Sequence, residues 1–166
     1  MKNAMGRTLS LLAILVFASL AIAQAAPAGD PDAEMNARFS KALGVPLDKV
    51  TLHFYLVKNG GVIELTAKDP NDTATINALQ KYLQTQKDLW EKGKETAVTD
   101  VHGKFPESAA TMRRLRNEIT FYMAKTDNGG VLRMFSINEQ ARNAIQEYFK
   151  FEIAEHKTGD SPTVDQ

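Results

Sequence analysis

The fold class the sequence predicts is α+β. Two copies of a ββα unit would join into a four-stranded antiparallel sheet with two helices on one face, related by a pseudo-twofold axis. Three observations predict it. First, the chain repeats itself in order. Phe54-Tyr55-Leu56-Val57-Lys58 matches Phe121-Tyr122-Met123-Ala124-Lys125. Asn59-Gly60-Gly61-Val62-Ile63 matches Asn128-Gly129-Gly130-Val131-Leu132, and Asn77-Ala78-Leu79-Gln80-Lys81-Tyr82-Leu83 matches Asn143-Ala144-Ile145-Gln146-Glu147-Tyr148-Phe149. Second, apolar and polar residues alternate on either side of each Asn-Gly pair, as in half-buried strands. Third, apolar residues recur at helical spacing after each hairpin.

The elements follow in order. Residues 31 to 43 read as a short amphipathic helix with Met35, Phe39 and Leu43 on one side and Gly44 as its stop. Repeat 1 spans about 50–94. Leu52, Phe54 and Leu56 alternate with Thr51, His53 and Tyr55, and Asn59-Gly60 supplies the positive φ angles of a tight hairpin. Ile63 and Leu65 point one way and Glu64 the other. Asp72 or Thr73 caps a helix carrying Ile76, Leu79, Leu83 and Trp90, which Gly93 ends.

The connector, 95–117, has mixed polarity. Gly103 and Pro106 break it, and a helical turn is expected over 108–116. Repeat 2 spans about 118–160. Ile119, Phe121 and Met123 alternate with Thr120, Tyr122 and Ala124, and Thr126-Asp127 lengthens the second hairpin around Asn128-Gly129. Asn138 caps a helix with Ala141, Ile145, Phe149 and Ile153 inward, and Gly159 is its expected stop. A lone hairpin or a lone helix is not stable in water, so both copies should fold as one domain over 26–166.

The start of the chain reads as an export signal over residues 1–25. Lys2 and Arg7 precede an apolar run from Leu9 to Ile22, and Ala21-Ile22-Ala23 or Ala23-Gln24-Ala25 suits a signal peptidase. No membrane span is expected once it is removed, and the mature chain is expected to be periplasmic or secreted. Lys and Arg total 20, as do Asp and Glu; without Lys2 and Arg7 the remainder is 18 against 20, near −2. That balance argues against a nucleic-acid footprint. With no Cys, disulfides, thiol catalysis and Cys-ligated metals are excluded.

Catalytic patterns are missing: the chain has no G-x-S-x-G, no phosphate-cradling Gly-rich loop and no H-E-x-x-H. Asp69-Pro70-Asn71-Asp72 lacks the Gly and Glu of a calcium loop and reads as a turn followed by a cap. His53, His102 and His156 share no metal-ligand spacing and read as independent, and Met123 and Met134 read as core filling. No catalytic residue, metal set or cofactor is therefore expected. Arg113, Arg114 and Arg116 read as a solvated helix face between Glu107 and Glu118, or as a hold for an anionic partner.

The sheet face opposite the helices should display His53, Tyr55, Glu64, Tyr122 and Arg133, together with Thr120. Two tyrosines at matching positions form an amphipathic platform for a ligand or a partner, although Tyr and Thr there also serve strand propensity. The Glu64/Arg133 difference breaks the symmetry between copies.

The stretches Phe54-Tyr55-Leu56-Val57-Lys58-Asn59-Gly60-Gly61-Val62-Ile63-Glu64-Leu65 and Phe151-Glu152-Ile153-Ala154-Glu155-His156-Lys157-Thr158-Gly159-Asp160 resemble a group of small exported bacterial proteins of uncharacterised function. The resemblance implies export and carries no site residues. The leading expectation is a non-catalytic binding or interaction module of the bacterial cell envelope, its partner an envelope protein or a second copy. Two alternatives stand beside it. One is a small periplasmic enzyme or metal-handling protein using His53 and His102. The other is an inhibitor of an envelope hydrolase presenting an exposed, rigid loop at Val101 to Pro106.

Overall fold

The structure, a computed structural model, describes residues 30–164, and the stretch read as an export signal lies outside them. The described chain is α+β. Helix α1 (Pro31–Leu43) leads through a 3-10 turn into strand β1 (Val50–Val57), strand β2 (Gly60–Ala67) and helix α2 (Thr73–Lys92). Helices α3 (Ala97–His102) and α4 (Glu107–Arg114) follow, then β3 (Thr120–Thr126), β4 (Gly129–Phe135) and α5 (Glu139–His156). The sheet is antiparallel throughout, in the order β1-β2-β4-β3, so the two hairpins meet along β2 and β4.

Each hairpin is closed by two residues, Lys58-Asn59 or Asp127-Asn128, so Thr126-Asp127 does not lengthen the second one. Neither asparagine takes a positive φ, contrary to expectation. The Asn-Gly pairs answer a different demand. The Asn59 carbonyl accepts from the Ser136 N–H at 3.0 Å, and the Asn128 carbonyl from the Ala67 N–H at 2.8 Å, which extends the β2–β4 ladder at both ends. The glycine after each must let the neighbouring strand close in. A Cβ on Gly60 would lie 2.0 Å from the Met134 carbonyl oxygen, and one on Gly129 would lie 2.0 Å from that of Leu65.

The two long helices cover one sheet face. Helix α2 packs mainly on β3 and β4, and α5 mainly on β1 and β2, so each crosses to the other hairpin. Side chains hold that arrangement. The Gln80 amide donates to the Thr126 and Gly129 carbonyls, and the Gln146 amide to that of Val57. Between the layers Phe54, Leu56, Leu65, Leu79, Leu83, Leu132, Met134, Ile145 and Phe149 are buried. Covering an apolar sheet face in this way is the main favourable term in the fold.

The caps follow simple chemistry. Asp72 accepts from the Thr75 N–H and Asn138 from the Ala141 N–H, each satisfying a helix N-terminal donor. Gly93 ends α2 in a left-handed conformation, as expected. Helix α5 stops at Lys157 (φ +52°) rather than at Gly159. The connector is more helical than its sequence suggests, because α3 packs on α1 and α4 on α5, and tertiary burial stabilises short helices that would be marginal alone. Both therefore lie on the helical side and leave the other sheet face open. No helix among the described residues is long and apolar enough to cross a membrane.

Candidate functional site

The open face arises from strand alternation. Pairing sets Tyr55, Val62, Arg133 and Tyr122 in one row and His53, Glu64, Val131 and Ala124 in the next. Tyr122 is 55% exposed and Tyr55 37%, beside the half-buried Val62 and Val131. The Tyr55 hydroxyl donates to Glu64 Oε2 at 3.1 Å; partial burial and then that carboxylate raise the phenol's pKa above its ordinary value. Arg133 makes no ion pair among the described residues and stands exposed between the apolar side chains.

His53 stacks on Tyr55 and hydrogen-bonds Asp160 Oδ1 at 2.8 Å. Asp160 Oδ2 also accepts from the Phe54 N–H at 2.8 Å, so the segment after α5 occupies a donor on the exposed edge of β1. Burial alone would raise the Asp160 carboxyl; the Phe54 N–H, the Thr158 hydroxyl and His53 outweigh it and hold the pKa below its ordinary value.

His53 and His102 do not form a common site. His53 alternates with Phe54, whose ring stacks under His156 on the helical side, and His102 is also on that side, against His156. Of the Val101 to Pro106 stretch, proposed as an inhibitor's exposed loop, Gly103 and Lys104 are exposed. Val101 is buried, its carbonyl accepts from Arg38 at 2.7 Å, and Phe105 lies against Arg113. The arginine cluster is largely spent inside the chain. Arg113 Nε donates to the buried Glu95 at 2.5 Å, Arg116 to the Arg113 carbonyl, and Arg114 faces Glu107.

The reading of three independent histidines fails for two of them. Glu152 and His156 sit one turn apart on α5, and His102 ends α3. Glu152 Oε2 lies 3.2 Å from His102 Nε2 and 3.3 Å from His156 Nε2, and the three side chains are only 2%, 5% and 5% exposed for His102, Glu152 and His156. Burial opposes the Glu152 charge, yet the hydrogen bonds from the two imidazoles prevail and hold its pKa at about 2. Phe39 and Phe54 flank the His156 ring and Phe151 meets the edge of His102. The triad borders a cavity of about 40 Å³ that Tyr82, Gln86, Trp90 and Tyr148 also line. Burial, and then the charge of Glu152, pushes both phenols well above their ordinary range, so they are neutral donors there.

Sequence spacing did carry part of this cluster: Glu152 and His156 are i and i+4 on a helix whose inward stripe is otherwise apolar. His102 has no local signal, since only the packing of the connector brings it in. Comparison with family models, with curated proteins and with solved structures finds no match to the chain.

Proposed function

We propose that this chain is a non-catalytic binding module, exported to the bacterial cell envelope, that engages a protein partner through the open face of its sheet. The observation that carries this is the row of exposed Tyr55, Arg133 and Tyr122 around half-buried Val62, uncovered by any described helix. Large aromatic side chains and an arginine around small apolar ones are the composition of interface centres.

The partner we assign is a second copy. A twofold interface must complement itself, and this patch holds both a carboxylate, Glu64, and a cation, Arg133, that makes no ion pair among the described residues, on neighbouring strands. Adding a strand at β1 is less suited, because Asp160 already takes the Phe54 N–H.

The same proposal includes an origin by duplication of a ββα unit, with a pseudo-twofold axis between β2 and β4. Matched positions in the two halves support it: the Asn59 and Asn128 carbonyls each accept an N–H from the other hairpin, Gln80 and Gln146 clasp each other's turn, and Asp72 and Asn138 cap the two helices.

Sedimentation velocity on the purified chain tests the dimer. We expect a dimer that Arg133→Glu dissociates by at least tenfold in Kd, by placing two carboxylates where an ion pair should form. A wild-type chain that stays monomeric to about 0.1 mM, a concentration at which even weak specific dimers associate, overturns the reading.

A further inference from the structure

Independently of the sheet face, we propose that His102 Nε2, His156 Nε2 and Glu152 Oε2 form a binding site for one divalent transition-metal ion, with zinc the best fit. Two imidazoles and one carboxylate are borderline donors of the kind that zinc accepts. The three donor atoms lie within 4.8 Å of one another. Around a tetrahedral zinc ion with bonds of about 2.0–2.1 Å, neighbouring donors stand about 3.3 Å apart. The two carboxylate–imidazole separations, 3.2 and 3.3 Å, already match that edge.

The proton inventory points the same way. If a neutral His102 gives its one proton to Glu152 through Nε2, its Nδ1 is left as a bare lone pair. That atom is buried and, among the described residues, without a hydrogen-bond partner, and it faces Glu155 Oε2 at 3.8 Å. A lone pair aimed at a carboxylate is unfavourable. A metal on Nε2 moves the proton to Nδ1 and turns the same contact into an N–H facing a carboxylate. This is the outer-sphere partner that ligating histidines usually have. Glu155 is in turn held by Lys104 at 2.9 Å. A doubly protonated His102 would satisfy Nδ1 as well, and the experiment separates the two.

The rest of the surroundings suit an ion. The i, i+4 pair on α5 supplies two ligands from one rigid helix face, and Phe39, Phe54 and Phe151 fix both rings. The cavity gives room for a water at the fourth position, beside the neutral phenols of Tyr82 and Tyr148. His102 also borders a surface depression lined by Arg38, Lys104, Glu155 and Lys157, which brings solvent close to the ligand set. An ion here would tie α3 of the connector to α5.

The test is calorimetric titration of the EDTA-stripped chain with zinc, with cobalt(II) as a spectroscopic stand-in. We expect one ion per chain, a rise in Tm on binding, and the intense visible bands of tetrahedral cobalt. Glu152→Gln should weaken zinc binding by at least a hundredfold. Glu155→Gln, which removes only the outer-sphere carboxylate, should weaken it by about tenfold. His53→Gln, on the opposite sheet face, should change nothing. If the wild-type chain takes up no stoichiometric zinc, the triad is a proton-bridged network with a charged histidine and the proposal falls. Zinc binding that survives Glu152→Gln, or that His53→Gln abolishes, overturns it equally.

Discussion

Helices α2 and α5 both lie on the sheet and present matching positions to one cavity: Tyr82, Gln86 and Trp90 from the first, Tyr148, Glu152 and His156 from the second. The tyrosines agree and the rest do not. Trp90 is 2% exposed and settles its position by packing, stacked on Phe121 and edge-on to Tyr148. Glu152 cannot do that, because a buried carboxylate must be partnered or neutralised. It therefore draws a second histidine from outside the hairpin–helix unit, and the connector must fold so that α3 delivers His102. One helix closes the interior by itself; the other needs a distant segment to finish it.

The largest expected effect breaks that asymmetry directly. Glu152→Ala removes the acceptor of two buried imidazoles and, measured by urea unfolding in EDTA, should cost about 3 kcal/mol. Gln86→Ala, at the matching position on α2, makes no side-chain hydrogen bond among the described residues and should cost less than about 1 kcal/mol. Equal losses at the two positions would mean that the polar cluster holds nothing together.

A smaller effect probes how tightly each helix sits on the hairpin it covers. A Cβ on Gly61 would lie 2.6 Å from ring carbons of Phe149, which is fully buried and has no room to retreat. At Gly130 the nearest atoms are the Ala124 carbonyl oxygen at 3.0 Å and the Leu83 and Met123 chain ends at 3.1 and 3.2 Å. Gly61→Ala should therefore destabilise by about 1–3 kcal/mol and Gly130→Ala by less. The denaturation midpoints of the two variants, compared with wild type at unchanged slope, check this ordering.

The strands, the long helices and their inward residues were legible in the sequence, because periods of 2 and 3.6 are local signals and both halves repeat them. Leu83 and Phe149 could be placed in the core from spacing alone. The role of the Asn-Gly pairs was not legible, because Asn59 and Asn128 serve the neighbouring hairpin rather than their own turn, a contact no local pattern encodes. In the connector the helical turn expected over 108–116 corresponds to α4, whereas α3 had no local signal, because it is short and gains its stability from α1. The open face with Tyr55, Tyr122 and Arg133 followed from alternation. The His102–Glu152–His156 cluster did not, since His102 joins it across a long stretch of chain.

The smallest expected effect concerns the two helix caps, of which one titrates and the other does not. Asp72 caps α2, and the Thr75 backbone N–H and hydroxyl, with Lys49, hold its pKa at about 2. Asn138 caps α5 with the same geometry and no charge. A carboxyl depressed in the folded state contributes stability that is complete above the unfolded pKa, near 4, and is lost as the pH falls through about 2. Acid should therefore loosen the start of α2 and leave the start of α5 untouched. Asp72→Asn keeps an acceptor for the Thr75 N–H and removes the proton. Its Tm should fall slightly below wild type at pH 7, where the charge favours a helix N-terminus, and the gap should close between pH 4 and 2. Amide hydrogen exchange at the two helix starts locates the change. Equal acid sensitivity in both would show that protonation elsewhere, rather than at this cap, governs the acid response.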